Sequence, residues 1–174
     1  MSAGRKNNID KKDYNTPPKY VNAITEFFGE VDLDPCSNEY SLVEARCKFI
    51  LPIDGLKQKW NYEKIFVNPP YGRDTSRKTS IYDWIEYGID ANEKFGSELL
   101  YLIPVATNTK HFKSIIFKKF SCICFLEDTR LKFYSNGKED IKGAPMSCCL
   151  CYIGKRAVDF FNVFQKFGKC FNIS

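Results

Sequence analysis

The stretch Lys64–Tyr71, KIFVNPPY in one-letter code, decides how this chain is interpreted. A short, largely apolar run comes first, and two prolines, Pro69 and Pro70, end it. An apolar run that stops at prolines is typical of a buried strand followed by a rigid turn. Asn68 is therefore expected at the carboxyl end of a strand, which is where open α/β sheets bind ligands.

The turn Asn68–Tyr71 carries groups that suit a planar amino group, such as the exocyclic nitrogen of adenine. The lone pair of that nitrogen is delocalised into the ring, so the nitrogen is a poor nucleophile. The side-chain oxygen of Asn68 and the carbonyl of Pro69 can accept its two N–H groups and turn the lone pair toward an electrophilic methyl group. Tyr71 adds a flat face on which a base drawn out of a duplex can stack. The plainer interpretation of these residues is a proline-terminated strand with a tyrosine plug.

Length and composition are those of an ordinary globular domain. The chain has 174 residues, of which 44% are hydrophobic and 27% charged, and no apolar run approaches the ~20 residues of a membrane span. We expect one domain over residues 13–174. Residues 1–12 are polar and basic, and they predict either a flexible basic arm or a plain disordered leader. The net charge of +5 is compatible with a polyanionic partner.

The cysteines indicate a reducing, intracellular compartment. There are eight of them and no secretory signal, so the protein is not expected to be secreted. The spacings at Cys122–Cys124 and Cys148–Cys151 are C-x-C and CC-x-C, which do not fit the usual ligand pairs of zinc. Both groups lie in apolar runs, where cysteine behaves as a small apolar residue. No metal site is predicted.

Alternating helical and strand patterns predict an α/β fold with a mainly parallel sheet and an antiparallel C-terminal end. Thr16 is the expected N-cap of the first helix. Helices are predicted over residues 17–28, 41–46, 80–95, 109–119 and 157–167. Strands are predicted over residues 31–35, 49–53, 65–67, 98–103, 120–126, 130–134 and 146–153, the last two joined through the turn at 135–137.

Three polar residues follow successive predicted strands. Asp34 ends the first strand, Asp54 the second candidate and Asn68 the third. In a doubly wound sheet these ends converge on one crevice, and a carboxylate there can accept from ligand hydroxyl or amino groups. Each aspartate taken alone is as well explained by a turn or a cap, which Asp favours.

The order of the chain's short motifs resembles that of the small phage-type DNA adenine-N6 methyltransferases. The matching pieces are Asn15-Thr16-Pro17, Leu33-Asp34-Pro35, Asp54-Gly55-Leu56, Trp60, Asn68–Arg73, Trp84, Leu102-Ile103-Pro104, Arg130–Phe133, and Ala144-Pro145 with Ser147. The resemblance covers about residues 14–152, and the order of the pieces is more specific than any one of them. One departure is that Cys36-Ser37-Asn38 stands where larger methyltransferases have a glycine-rich loop.

The resemblance implies a Rossmann-like class I methyltransferase fold with helices on both faces of the sheet. It implies S-adenosylmethionine as methyl donor and direct in-line transfer to adenine in DNA, with the base flipped out or single-stranded and no metal. The implied catalytic residues are Asn68, Pro69, Pro70 and Tyr71. The implied cofactor-binding residues are Thr16, Pro17, Asp34, Pro35, Cys36 and Asp54. A bacterial or phage-infected cell is the expected setting.

Basic residues near the catalytic turn and in the Arg130–Phe133 motif are predicted to bind nucleic acid. They are Arg73, Arg77, Lys78, Arg130 and Lys132. Residues 74–79 form a longer loop than the family usually has here, and its Arg77 and Lys78 are expected to touch phosphates of the target strand. The alternative is a solvated surface loop.

Rival functions remain at this stage. The Asn-Pro-Pro-Tyr turn also occurs in enzymes that methylate RNA bases or glutamine side chains, because each substrate presents a planar amino group. A second rival is a nucleic-acid-binding subunit that depends on a catalytic partner. A homodimer or a separate specificity partner also stays open.

Overall fold

The computed structural model describes residues 14–128, 130–139 and 143–174. The predicted basic arm, residues 1–12, lies outside the described residues. The strands are β1 Val31–Ser37, β2 Ala45–Ile50, β3 Lys64–Val67, β4 Glu98–Pro104, β5 Cys122–Leu126, β6 Tyr134–Ser135, β7 Lys138–Glu139, β8 Cys148–Ile153 and β9 Gly168–Asn172. The α-helices are α1 Pro18–Phe28, α2 Ile81–Phe95, α3 Phe117–Lys119 and α4 Ala157–Phe164. A 3-10 turn spans Gly55–Lys57, and a π-helical turn, Phe112–Ile116, leads into α3.

Seven strands form one sheet in the order β2-β1-β3-β4-β8-β5-β9. The pairs β1–β2, β1–β3 and β3–β4 are parallel. Strand β8 lies antiparallel between β4 and β5, and β9 is antiparallel to β5. Five strands therefore run one way and the two C-terminal strands, β8 and β9, run the other. The predicted Rossmann-like α/β fold with a mainly parallel sheet is confirmed.

Helices cover both faces of the sheet because successive side chains of a strand point to opposite faces. In β4, Leu100 and Leu102 pack with α1 and α4, whereas Leu99, Tyr101 and Ile103 pack with α2 and the π-helical turn. The five cysteines of β5 and β8 are buried in these two layers as small apolar residues. In the described part of the chain, no cluster of three or more His, Cys, Asp or Glu side chains is placed to hold a metal ion, and none of the helices is long and apolar enough to cross a membrane.

Two predictions about the region after β1 are wrong. The helix expected over residues 41–46 is absent, since β2 begins at Ala45 and pairs with β1. The strand expected over residues 49–53 ends at Ile50 and is followed by a turn. Pairing with a buried neighbouring strand outweighs the local preference of such a short segment.

The predicted pairing of residues 130–134 with 146–153 is also wrong. Strand β6 covers only Tyr134–Ser135 and pairs with β7 in a separate hairpin. Its two turn residues, Asn136 and Gly137, have φ values of 50° and 74°, as a tight two-residue hairpin requires. This local closure leaves β8 to insert between β4 and β5. Strand β9 was not predicted, and α4 ends at Phe164 rather than at residue 167.

Thr16 is not the cap of α1. The N-cap is Pro17, without a side-chain hydrogen bond, and the helix begins at Pro18. The hydroxyl of Thr16 accepts a hydrogen bond from Asn68 instead. The rule that Thr caps a helix considers only neighbouring residues. It does not predict this hydroxyl, because its partner Asn68 is far away in the sequence.

Candidate active site

A cavity opens where the strand order of the sheet reverses. From β1 the chain passes to β2 on one side and then to β3 on the other, and such a switch point leaves a crevice at the carboxyl ends of the strands. The cavity has a volume of about 350 Å³, within the range of small-molecule sites. Its lining includes Tyr14, Asn15 and Thr16, then Asp34, Cys36 and Asn38, and then the turn Asn68–Tyr71.

Asn68 presents an acceptor to this cavity. Its Nδ2 donates to the carbonyl of Tyr14 at 2.8 Å and to Oγ1 of Thr16 at 3.2 Å. Its Oδ1 is buried and has no hydrogen-bond partner among the described residues. A buried acceptor without a partner is costly, so this oxygen is suited to a ligand N–H group.

Tyr71 is fixed by its hydroxyl and by two aromatic neighbours. The hydroxyl donates to the carbonyl of Leu102 at 3.0 Å. Burial raises the pKa of Tyr71 well above its usual range, so the phenol stays neutral and remains a donor. The Tyr71 ring lies nearly parallel to that of Tyr14, with 6.3 Å between centroids, and meets Phe133 edge-on at 5.6 Å. Tyr14 and Phe133 were not predicted as site residues, although Phe133 ends a motif that the resemblance includes.

Asp34 is a buried acid in the wall of the cavity, with 4% of its surface exposed. Its carboxylate accepts from the Cys36 N–H at 3.3 Å and from the Ser41 hydroxyl at 3.4 Å. Burial outweighs these hydrogen bonds and raises the pKa of Asp34 to about 6. Burial also raises the pKa of the Cys36 thiol, so this thiol is protonated at neutral pH. The wall thus offers an acceptor for hydroxyl or ammonium groups and no thiolate.

Asn15 adds a donor that sequence reasoning did not single out. Its Oδ1 accepts from Nδ2 of Asn38 at 2.7 Å. Its own Nδ2 is buried and finds no partner within the described ranges. The Asn15-Thr16-Pro17 motif was a signal for this position, but the direction of the amide depends on Asn38, which comes 23 residues later in the chain.

Asp54 lies one contact behind the cavity and is not part of its lining. Its carboxylate accepts from the Leu56 N–H at 3.1 Å and pairs with Arg77 at 3.3 Å. The next residue, Gly55, has no side chain, which allows this turn to pack closely on β1. A Cβ atom there would lie 1.9 Å from the carbonyl oxygen of Pro35. Among the described residues, Asp34 and Asn68 therefore meet at one cavity as expected, whereas Asp54 is linked to it through Arg77.

The predicted basic residues are divided between two places. Arg77 and Arg73 line the cavity, and Arg77 is engaged by Asp74 at 2.9 Å as well as by Asp54. Lys78 is exposed beside it, with φ of 56°. Pro17, Arg130 and Lys132 line a separate groove with Lys19, whose ammonium pairs with Asp128 at 2.7 Å. In that groove Lys132 pairs with Glu139 at 3.3 Å.

Comparison with known proteins identifies the family. A family model described as DNA N-6-adenine-methyltransferase (Dam) matches residues 4–166, which is most of the 174-residue chain. No curated protein matches the chain at a significant level. The match agrees with the Rossmann-like sheet and with a cavity at its switch point. The chain therefore belongs to the DNA N-6-adenine-methyltransferase family, and it is an adenine-specific DNA methyltransferase.

Proposed function

We propose that this chain methylates the N6 amino group of adenine in DNA within the cavity at Asn68, with S-adenosylmethionine as methyl donor. The observation that carries the proposal is the buried, unpartnered Oδ1 of Asn68 at the end of β3. With the carbonyl of Pro69 it provides two acceptors for the two N–H groups of the target nitrogen. These acceptors orient the lone pair and stabilise the positive charge that develops on nitrogen.

The polar atoms of the cavity suit the proposed donor. When bound, S-adenosylmethionine supplies a methyl group on a positively charged sulfur. The unpartnered Nδ2 of Asn15 is suited to a carboxylate, and Asp34 is suited to an ammonium or to ribose hydroxyl groups. Together these two residues would hold a zwitterionic ligand in one orientation. The target nitrogen would gain the methyl group as the sulfur–methyl bond breaks, which would leave a neutral thioether, and the nitrogen would release its proton to solvent.

The proposed DNA contacts are exposed cations beside the cavity and in the separate groove. Arg73 and Lys78 follow the catalytic turn, and Arg130 and Lys132 lie in the second groove. Arg77 differs from them because it is paired with two carboxylates. We expect the exposed cations to meet phosphates, which position the duplex without reading its sequence. The protein would act inside the cell, where its DNA substrate is located.

Transfer of labelled methyl groups from S-adenosylmethionine to unmethylated DNA tests the proposal. Wild type and Asn68→Ala are compared, and Asn162→Ala, an exposed asparagine of α4, is the matched control. We expect N6-methyladenine from wild type and the control. In Asn68→Ala the rate should fall by about 10²–10³-fold, as for the loss of one preorganised polar group.

Other outcomes would point to the rival functions. Label in RNA or in protein glutamine, but not in DNA, would identify a different acceptor. Absence of transfer to any polymer, together with absence of donor binding, would identify a subunit that needs a catalytic partner. Equal rates for wild type and Asn68→Ala would refute the role of Asn68.

A further inference from the structure

The side-chain amide of Asn68 is held from the segment that precedes α1. The carbonyl of Tyr14 accepts from Nδ2 at 2.8 Å, and Oγ1 of Thr16 accepts from the same nitrogen at 3.2 Å. Both contacts join residues more than fifty positions apart in the sequence. The family resemblance implied that Thr16 binds the methyl donor, and the local sequence pattern predicted that it caps α1.

The direction of this amide decides whether Asn68 can act. Turned the other way, it would present N–H groups to the amino group of adenine, which would repel it. The carbonyl of Tyr14 is an acceptor only, so it accepts Nδ2 and disfavours Oδ1 in that place. The hydroxyl of Thr16 takes the second N–H, so that both hydrogens of Nδ2 are satisfied and Oδ1 is left for the cavity.

The segment that carries these acceptors is well fixed. Thr16 is 3% exposed, and two proline residues follow it directly. The backbone of Asn15 exchanges two hydrogen bonds with Tyr134, at 2.8 and 2.9 Å. A rigid support of this kind lets a single hydroxyl restrict the rotation of the Asn68 amide.

We propose that Thr16 is a positioning residue that orients the amide of Asn68, so that its Oδ1 faces the target amino group. This inference rests on the proposed function, in which that oxygen accepts from N6. It assigns Thr16 an effect on the methyl-transfer step rather than on the affinity for the donor. Thr16 touches the catalytic side chain, and no contact of its own with the reacting atoms is required.

The test separates turnover from donor binding. Thr16→Val keeps the shape of the side chain and loses the acceptor, whereas Thr16→Ser keeps the hydroxyl. We expect Thr16→Val to lower kcat about 10-fold, the effect of leaving one N–H without a partner. Its Kd for S-adenosylmethionine, from calorimetry without DNA, should stay within about twofold of wild type. Thr16→Ser should restore most of kcat, and Thr16→Val should melt only a few degrees below wild type, because the same N–H loses its partner.

Several results would overturn the inference. A Thr16→Val protein with normal kcat, or one with weakened donor binding and normal kcat at saturation, would show that Thr16 does not orient Asn68. If Thr16→Val does not fold, Thr16→Ala is measured against Thr16→Ser, and equal kcat values would refute the role. Failure of the proposed function is distinguishable, because wild type itself would then transfer no methyl group to DNA.

Discussion

At the scale of single residues, the cavity contains polar groups that reduce stability while no ligand is bound. Asp34 is the clearest case, since burial raises its pKa from 3.8 to about 6. Asn15 and Asn68 each keep one buried polar atom without a partner in the described part of the chain. Such groups lower the stability of the free protein and are available to a ligand, which accounts for their grouping in one cavity.

The raised pKa of Asp34 gives a pH-dependent prediction. A carboxyl group whose pKa is higher in the folded state adds most to the free energy of unfolding below its unfolded pKa. For Asp34 this stabilisation is lost as the pH rises through about 6. Asp34→Asn removes the cost of burying the charge. The free energy of unfolding of the variant, relative to wild type, should therefore rise by about 2 kcal/mol between about pH 4.5 and pH 7.5.

Denaturant titrations of both proteins without ligand measure this difference. A difference that stays constant over the same pH range would contradict the account of Asp34. At neutral pH the variant should also bind S-adenosylmethionine more weakly, because the ionised acceptor is missing.

At the scale of elements, the loop after the Asn68–Tyr71 turn is held against the turn that follows β2. Residues Asp74 and Thr79 form an antiparallel bridge that closes the loop. Arg77 crosses from this loop to Asp54, and it also pairs with Asp74. Hydrogen bonds from Ser76 and Arg77 hold the pKa of Asp74 well below its usual range, so this carboxylate stays ionised. The two neighbouring cations of the loop thus have different surroundings.

Arg77→Ala and Lys78→Ala should therefore have different effects. Lys78 is exposed, so its loss should weaken DNA binding and reduce the slope of log K against log salt by about 1. Arg77→Ala should loosen the loop and lower the donor affinity, with little change in that slope. Fluorescence anisotropy at several salt concentrations checks the first effect, and calorimetry checks the second. Equal salt slopes for Lys78→Ala and wild type would rule out the phosphate contact.

At the scale of the whole molecule, Arg156 connects elements that are distant in sequence. Its guanidinium donates to Glu98 of β4 at 2.7 and 2.9 Å and to the carbonyl of Phe27, in α1, at 2.8 Å. It also lies over the Phe27 ring, 4.6 Å from the centroid. Because Arg156 directly precedes α4, one side chain joins the two helices on this face to the centre of the sheet.

Arg156→Met should lower the free energy of unfolding by about 2 kcal/mol, because Glu98 and the Phe27 carbonyl would lose partners in a partly buried site. Arg46→Met is the matched control. Arg46 is 65% exposed and pairs with the exposed Glu30 at 2.5 Å and more loosely with Asp32 at 3.4 Å, and pairs of so exposed a cation contribute little. Denaturant unfolding of the two variants compares these effects. Equal destabilisation by both variants would show that the position of Arg156 has no special role.

The sequence alone determined those features that depend on residues close together in the chain. The apolar run before Asn68 and the prolines after it predicted β3 and its turn, and helical periodicity predicted α1, α2 and α4. The order of motifs was enough to indicate the methyltransferase family. These predictions hold in the folded protein because hydrophobic periodicity, the fixed geometry of proline and the ending of helices at glycine all act within a few residues.

Tertiary structure alone decided which groups meet. Strand β2 depends on pairing with β1, and β8 is separated from β6 because the Asn136–Gly137 turn closes a hairpin locally. Thr16 contacts Asn68 rather than capping its own helix, and Asp54 is linked to the cavity through Arg77. The physical reason is the same in each case. Strands pair, and side chains form hydrogen bonds, with whichever partners the fold brings close. These partners are often far apart in the sequence, so local sequence patterns do not identify them.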